Sequence, residues 1–177
     1  MSNDNEILDN DITEITSGVE VQKIISLNKF IFLSIISFGV YEIWWMYKVW
    51  KFYQQKEKLD IMPAARAIFA IFFLNALLKK NLEFAKEKGY EGSYSSVPLF
   101  IGFFIVNALH RLPDPLWLVS LMSFVFLIPA FNALYFAMQN STDIIVNEET
   151  SFSARQTILI IIGILFWGLV ILGMYMV

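Results

Sequence analysis

The chain has 177 residues, of which 57% are hydrophobic and only 16% are charged. Soluble domains carry about 45–50% apolar and about 25% charged residues, so this composition leaves too little polar surface to cover a soluble globule. The net charge is -3, and the absence of cysteine excludes disulfides, thiolate metal sites and a cysteine nucleophile. The clustered lysines suit an anionic membrane surface better than a nucleic acid. We therefore expect an integral membrane protein.

The beginning of the chain differs from the rest. Residues 1–28 hold six acids against the single base Lys23: Asp4, Glu6, Asp9, Asp11, Glu14 and Glu20. This segment is also rich in Asn, Ser and Thr, and it lacks the basic start and short apolar core of a secretory signal. We expect residues 1–28 to form a retained, acidic, disordered tail and residues 29–177 to form one helical membrane domain.

Five segments meet or approach the roughly 20 apolar residues that cross a hydrocarbon core. In chain order they are residues 30–47, 64–78, 97–112, 116–138 and 157–177. They predict an all-α, polytopic membrane protein with three to five hydrophobic helices, one of them interfacial. The last segment has no charged residue and is the cleanest candidate span.

Local breaks modify three of these segments. Phe38-Gly39 interrupts the first, and the second follows Pro63 but is apolar for only about 15 residues, shorter than a usual span. We expect this second segment to lie in the membrane interface and to end near Gly89. Two prolines in residues 110–115 make the third and fourth segments a tight helical hairpin, and Pro129 should kink the fourth.

Lysines predict how the helices are oriented. They concentrate in residues 48–58 and 79–88, and loops rich in Lys and Arg stay in the cytoplasm. An interfacial second segment keeps both stretches on that side, together with residues 139–155, while residues 110–115 face outward. Two alternatives stay open for the first segment: a span, which puts the tail outside, or a segment that returns at Phe38-Gly39 and keeps it inside.

Three stretches carry a resemblance to a known family. They are ISFGVYEIWWMYK at residues 36–48, PAARAIF at residues 63–69 and NALHRLPDP at residues 107–115. The chain resembles DUF4234-like proteins, which are small bacterial multi-pass membrane proteins of uncharacterised function, most strongly over the first stretch. The resemblance implies a multi-pass protein of the bacterial cytoplasmic (inner) membrane and implies no activity or site residue.

Polar residues inside apolar segments are the first candidates for function, because they are costly in a bilayer. They are Glu42, Arg66, Asn75, Asn107, Asn132 and Gln139. Glu42 marks an ion path or a buried pair, with Arg66 as the expected charge partner, unless the break at Gly39 brings it near the headgroups. The amides either line a polar cavity or hydrogen-bond neighbouring helices.

Two further groups are external or interfacial. His110, Arg111 and Asp114 lie in the outward hairpin, where the histidine could sense protons; alternatively, Arg111 and Asp114 pin the turn and Asp114 caps the helix after Pro115. Aromatic and basic side chains are expected to contact anionic inner-leaflet headgroups, although positive-inside anchoring alone would explain the lysines. These side chains are Trp44, Trp45, Lys48, Lys51, Lys79 and Lys80.

Catalytic motifs are missing from the sequence. It has no Gly-rich phosphate loop, no G-x-S-x-G elbow and no HExxH, and its single histidine precludes a histidine-rich metal site. We expect no enzyme, no metal and no cofactor. The leading hypothesis is a non-enzymatic protein that associates with a membrane partner in an accessory, regulatory, immunity or stress-response role. The alternatives are a small transporter or channel, in which Glu42, Arg66 and Asn132 line a path in a homo-oligomer, and more remotely a lipid-modifying enzyme.

Overall fold

The computed structural model describes residues 21–176 and is mostly helical, which confirms the predicted class. Seven α-helices lie in that range: α1 (Leu27–Ile36), α2 (Val40–Glu57), α3 (Pro63–Ile68), α4 (Ala70–Glu87), α5 (Ser96–Ala108), α6 (Ile128–Gln139) and α7 (Ala154–Met176). Two strands, β1 (Gln22–Ile24) and β2 (Val146–Glu148), and two 3-10 helices, Leu109–Arg111 and Leu116–Phe126, complete the described fold.

α1 and α2 form a helical hairpin. The Oγ of Ser26 accepts a hydrogen bond from the backbone N–H of Lys29 and so caps the start of α1. After Ile36 the chain reverses through two left-handed residues, Phe38 at φ +53° and Gly39 at φ +83°. Glycine occupies this region without the clash that a Cβ makes, which explains the break that the sequence predicts at this point.

Contacts across the hairpin show that α2 runs back along α1. The ring of Phe30 lies 5.6 Å from the ring of Trp45, and the Nζ of Lys48 donates to the carbonyl oxygen of Lys23 at 3.1 Å. Residues 30–47 are therefore two antiparallel helices and not one continuous span. Of the two alternatives for this segment, the chain path matches the one that returns at Phe38-Gly39.

The second hydrophobic segment is divided as well. Pro63 opens α3 in the first helical turn, and Phe69 separates α3 from α4 with ψ near +45°. α4 ends at Glu87, next to Gly89 at φ +89°, where the sequence predicts a stop. Charged side chains on α4 face outward while Leu74, Leu77 and Phe84 are buried, so α4 is amphipathic as expected of an interfacial helix.

The predicted proline-linked hairpin is present. α5 leads through the turn at Leu109–Arg111 into the 3-10 helix Leu116–Phe126, which packs beside α5. The approach is close at Gly102, because a Cβ built there would lie 2.2 Å from the Phe126 ring. Pro129 stands in the first turn of α6, where the chain changes from 3-10 to α-helix. A change of helix type stands where the sequence predicts a kink. Proline has no N–H to donate within a helix interior, so it stands where one helix type gives way to the other.

α7 is the longest helix, and it touches the rest of the fold along one narrow face. Its start has a reciprocal cap, in which the Ser153 N–H donates to Gln156 Oε1 and the Gln156 N–H donates to Ser153 Oγ. Gly163 lies against the end of α1, since a Cβ there would be 2.2 Å from the carbonyl oxygen of Ile36. Trp167 stacks on Phe38 with ring centroids 5.0 Å apart.

A parallel strand pair joins the beginning of the described chain to the segment before α7. β1 and β2 are paired so that Gln22 lies opposite Val146, Lys23 opposite Asn147 and Ile24 opposite Glu148. The strands are the exception to the all-α prediction. They also shorten the predicted tail of residues 1–28, because ordered structure has begun at Gln22; residues 1–20 lie outside the described residues. Three-residue strands are too short to show an alternating pattern, so the sequence gives no signal for them.

Charged residues distant in sequence meet at one end of the molecule, here called the charged end. Lys23 pairs with Glu149, and Lys88 pairs with Asp143 at 2.8 Å. The stretch from Leu116 to Gln139 runs from the proline hairpin to this end. Residues 110–115 therefore lie at the opposite end of the molecule from residues 139–155, and the membrane sides expected for the two segments stay a prediction.

Two of the described helices are long and apolar enough to cross a membrane. They are the continuous stretch Leu116–Gln139 and α7. α1 and the stretch Ser96–Arg111 are apolar but shorter. α4 is not among these candidates, and its interfacial position stays a prediction. The predicted number of three to five hydrophobic spans stays a prediction.

Candidate functional site

Glu42 lies in the first turn of α2 and makes a buried hydrogen bond to a distant segment. Its side chain is only 2% exposed. The Oγ of Ser123 lies 3.1 Å and 3.2 Å from its two carboxylate oxygens and donates to them. This contact ties α2 to the 3-10 helix Leu116–Phe126, 81 residues further along the chain.

The predicted Glu42–Arg66 pair is wrong. The Arg66 guanidinium lies over two aromatic rings, 4.5 Å from the centroid of Trp50 and 5.1 Å from that of Phe73. A planar guanidinium stacks favourably on such rings. Arg66 therefore holds α3 against α2 and α4, and Glu42 is satisfied by a neutral hydroxyl.

The four amide candidates do not converge on one path. Asn107 donates to the carbonyl oxygen of Phe103 within its own helix at 2.9 Å, and Asn132 and Gln139 are exposed. Asn75 keeps a buried Oδ1 that no donor reaches within residues 21–176. One of the two roles predicted for these amides was to line a polar cavity. The described geometry does not assemble such a shared cavity.

The external hairpin is likewise held by local contacts. The Nδ1 of His110 donates to the carbonyl oxygen of Asn107 at 2.7 Å. Asp114 accepts from the Nε1–H of Trp117 at 2.7 Å, and no side-chain cap hydrogen bond forms at the start of the following 3-10 helix. The prediction that Asp114 caps this helix is therefore wrong. The indole takes the carboxylate because Trp117 lies three residues away, one turn of a 3-10 helix.

Two buried tyrosines were missed by the sequence analysis. The Tyr53 hydroxyl donates to Asn81 Oδ1 at 2.9 Å and joins α2 to α4. The Gln156 side-chain amide donates to the Tyr41 hydroxyl at 3.4 Å and joins α7 to α2. In a sequence, tyrosines at helical spacing look like ordinary apolar core residues. Their hydrogen-bond partners lie 28 and 115 residues away, so only the tertiary structure identifies these contacts.

A groove of about 710 Å³ opens between α2 and the start of α7, at the charged end. We call it the basic groove. Its charged lining consists of Lys23, Lys48, Lys51, Arg155 and Glu149. Among the lining residues that the structure describes, four are bases and one is an acid. The sequence analysis selected only Lys48 and Lys51 of this set, because Lys23 and Arg155 lie far from them along the chain.

Contacts inside the basic groove organise its charges. Glu149 lies 3.7 Å from the Nζ of Lys23, and Arg155 lies 5.9 Å from the ring centroid of Trp44. Burial lowers the pKa of Lys48; the nearby Glu149 carboxylate opposes this effect, and the cations of Lys23, Arg155 and Lys51 add to it. The described charges of the groove therefore act on one another, and burial is the main reason that the pKa of Lys48 is lowered.

The expected headgroup contacts divide into two groups. Trp44 lines the basic groove and is 38% exposed, whereas Trp45 is 7% exposed and packs against Phe30 and Phe131. The assignment of Trp45 as a headgroup contact is therefore wrong, because neighbouring residues on a helix point in different directions. Lys79 is exposed, and Lys80 pairs with Glu57.

No group of three or more His, Asp or Glu side chains within residues 21–176 is placed to hold a metal ion. Comparison of the chain with protein-family models, curated proteins and solved structures finds no match. The resemblance to DUF4234-like proteins therefore stays a prediction. What the chain does must be argued from its own geometry.

Proposed function

We propose that this chain is a multi-pass protein of the bacterial cytoplasmic membrane that acts without catalysis, by associating with a partner in the membrane. The observation that carries the proposal is the exposure of α7. This helix is 23 residues long, about 34 Å at 1.5 Å per residue, which suffices to cross a hydrocarbon core of about 30 Å. It is apolar and almost wholly unburied.

One face of α7 is a stripe of large aliphatic side chains. Ile158, Ile161, Leu165, Leu169 and Leu172 recur every three or four residues and are each more than half exposed. The opposite face carries Gly163 and Trp167 and packs on the α1–α2 hairpin. Such a stripe needs lipid or another helix to cover it, because a patch of this kind is unfavourable in water.

The rest of the fold supports a membrane position. α1 has 10 residues, about 15 Å of helix, so the α1–α2 hairpin fits half of a hydrocarbon core. Lys48 and Arg155 line the basic groove and Lys88 pairs with Asp143, and bases gathered at one end suit a cytoplasmic face under the positive-inside rule. The exposed side chains of Ile68, Phe69 and Phe72 at the α3–α4 junction suit the membrane interface.

The proposal is tested by crosslinking the full chain in the bacterial membrane and purifying it in mild detergent. Membranes are first washed with alkaline carbonate, which an integral protein resists. We expect one heterologous membrane protein to co-purify with the chain. Association through α7 predicts that Leu165→Ala, Leu169→Ala and Leu172→Ala together abolish its capture.

The matched control makes the same kind of change on α5. Val97, Ile101 and Ile105 are also exposed and aliphatic, so replacing all three with Ala removes comparable apolar surface from a different helix. This control variant should retain the partner. Equal loss in both variants, or no co-purifying membrane protein with the unaltered chain, would contradict the proposal.

Transport is the second candidate, and the burial of Glu42 favours it. A buried acid in an apolar fold often marks an ion or proton route. The candidate requires a closed homo-oligomer, since Arg66 and Asn132 do not join Glu42 in a path within the described chain. A homo-oligomer after crosslinking, together with an ion flux that Glu42→Gln abolishes, would favour transport. An unchanged flux in that variant would rule out a role for Glu42 in it.

A further inference from the structure

We propose that a cleft between α4 and the start of α5, here called the α4–α5 cleft, binds one phospholipid that has a phosphoethanolamine headgroup. The lipid phosphate lies at the N-terminus of α5 beside Lys79, and the lipid ammonium group lies beside Glu83. The acyl chains follow the exposed face of α5. This inference rests on the proposed membrane function and adds a lipid class to it.

The α4–α5 cleft is a defined part of the fold. Its volume is about 370 Å³, within the range of about 300–1,000 Å³ that is usual for ligand sites. One wall is the face of α4 that carries Lys79 and Glu83, and the other wall consists of residues 94–98. The Tyr94 hydroxyl donates to the carbonyl oxygen of Leu78 at 2.6 Å, so the two walls are held together.

The first turn of α5 reaches the cleft without a cap. Ser95 is the N-cap residue, and its side chain makes no capping hydrogen bond. The first N–H groups of a helix have no partner within the helix, and they carry a partial positive charge that favours a phosphate. Ser96 and Val97, which bear such groups, both line the cleft.

The side chain of Ser96 is a second and independent sign of a ligand. Ser96 is only 8% exposed, and its hydroxyl makes no hydrogen bond to any residue that the structure describes. Buried hydroxyls are nearly always hydrogen-bonded, because leaving one unpaired costs free energy. Since Ser96 lines the cleft, a phosphate oxygen bound there satisfies this hydroxyl.

Lys79 and Glu83 indicate which headgroup fits. They lie one turn apart on α4, and both are exposed and line the cleft. Side chains at this spacing can pair, yet in the described part of the chain neither forms an ion pair. Phosphoethanolamine carries a phosphate and a primary ammonium joined by two carbons. The phosphate accepts from Lys79, and the ammonium donates to Glu83.

An apolar stripe on α5 explains why the headgroup belongs to a lipid. Val97, Ile101 and Ile105 recur every four residues and are each about half exposed. Val97 also lines the cleft, and α5 leads from there to the proline hairpin. An acyl chain covers this stripe, whereas soluble phosphoethanolamine would occupy only the cleft.

The test measures how tightly the detergent-solubilised full chain binds dioleoyl phosphatidylethanolamine, by native mass spectrometry over a lipid titration. We expect one bound lipid. Dioleoyl phosphatidylcholine has the same chains and phosphate, but its quaternary ammonium has no N–H to donate to Glu83. It should therefore bind about fivefold more weakly, the equivalent of one typical hydrogen bond.

The double variant Lys79→Gln with Glu83→Gln leaves the net charge of the chain unchanged. It should bind phosphatidylethanolamine roughly 25-fold more weakly, from about fivefold for each lost contact, and should no longer prefer it to phosphatidylcholine. If this variant does not elute as a folded species, Ser96→Ala provides the measurement, with an expected loss of about fivefold.

The matched control is Lys86→Gln with Glu87→Gln. It makes the same charge-neutral change at two exposed residues of α4 that do not line the cleft. This variant should bind phosphatidylethanolamine within about twofold of the unaltered chain, because solvent and salt screen charges at a distance.

Three outcomes would overturn the inference. The first is equal weakening in the cleft and control variants. The second is binding of phosphatidylcholine, or of anionic dioleoyl phosphatidylglycerol, as tightly as phosphatidylethanolamine. The third is displacement of the lipid by an equal concentration of soluble O-phosphoethanolamine, which would make the cleft a site for a soluble compound. A chain that captures its membrane partner but shows no preference among these lipids contradicts the lipid site alone.

Discussion

Glu42 and Ser123 illustrate how a single buried carboxylate joins two distant segments. The hydroxyl of Ser123 has both carboxylate oxygens within 3.2 Å. An unpaired buried polar group costs about 1–3 kcal/mol, whereas a typical intact hydrogen bond contributes about 1 kcal/mol net. The stability of the fold therefore depends more on keeping both partners of this hydrogen bond than on the charge of the Glu42 side chain.

We predict that Glu42→Leu lowers the free energy of unfolding by about 1–3 kcal/mol, because Ser123 is left without its acceptor. Glu42→Gln keeps an oxygen that accepts from Ser123, and its loss should be under about 1 kcal/mol. Thermal unfolding of the detergent-solubilised variants measures both. Adding Ser123→Ala to Glu42→Leu should recover part of the loss, and strictly additive effects of the two changes would show that the contact is not coupled.

Asp143 forms an ion pair with Lys88 at the charged end. The hydrogen bond from Lys88 lowers the pKa of Asp143 below its ordinary value, an effect that burial partly opposes. A carboxyl whose pKa is lower in the folded state stabilises the fold above its unfolded pKa, and this contribution disappears as the pH falls through the folded pKa.

We predict that Asp143→Asn reduces stability by less than about 1 kcal/mol at neutral pH, because the Asp143 side chain is 55% exposed and solvent screens the pair. The difference between variant and unaltered chain should shrink as the pH falls below about 4, the ordinary pKa of an Asp carboxyl, because the lowered pKa of Asp143 lies beneath that value. Unfolding curves at pH 7 and pH 3 measure it. A difference that grows as the pH falls would contradict the assigned direction.

At the scale of elements, the docking of α7 depends on one glycine. Gly163 allows α7 to approach the backbone of Ile36, where a Cβ would lie 2.2 Å from the carbonyl oxygen. Nothing lies within 4 Å of a Cβ at Gly168. The two glycines share a helix but not a face, so they form a matched pair for substitution.

We predict that Gly163→Ala moves α7 away from α1 and lowers stability by about 1–3 kcal/mol, since backbone cannot yield as a flexible side chain can. Gly168→Ala should leave stability unchanged or raise it by up to about 1 kcal/mol, because alanine is the better helix former. Thermal unfolding of the two detergent-solubilised variants measures both changes. Equal responses in the two variants would show that the close approach does not matter.

At the scale of the whole molecule, the charged end and the proline hairpin define two sides. Lys23, Lys88 and Arg155 lie at the first, and residues 110–115 lie at the second. The α1–α2 hairpin returns the chain to the charged end, so the start of α1 and the end of α2 share a side. This arrangement makes the membrane topology testable at a few positions.

We predict that cysteines introduced at Asn28, Gln54 and Glu91 react with an impermeant maleimide only after the inner face is opened. A cysteine at Arg111 should react in intact spheroplasts. The described chain has no native thiol to interfere. Labelling of Asn28→Cys and Gln54→Cys from opposite sides would mean that residues 30–47 span, contrary to the hairpin.

Much of the helical arrangement was predictable because its signals are local. The turn at Phe38-Gly39, the stop near Gly89 and the hairpin at residues 110–115 each follow from Gly or Pro within a few positions. Pro129 was placed correctly, although the consequence is a change from 3-10 to α-helix.

The candidate site was predictable only in part. Glu42, Lys48 and Lys51 could be selected by residue type and position, whereas the partner proposed for Glu42 was wrong. A charged partner is the natural expectation for a buried acid, yet the nearest donor is the hydroxyl of Ser123. Serine recurs easily in apolar helices and gives no sequence signal of its own.

Composition and hydropathy alone predicted a helical membrane protein, and turn residues alone predicted where most helices end. Only the tertiary structure decided that β1 pairs with β2, that Glu42 meets Ser123 and that Lys23 and Arg155 join Lys48 in one groove. The physical reason is the distance along the chain over which each signal acts. Propensity and turn chemistry act over about one helical turn or a single span, while these contacts depend on how already formed helices pack.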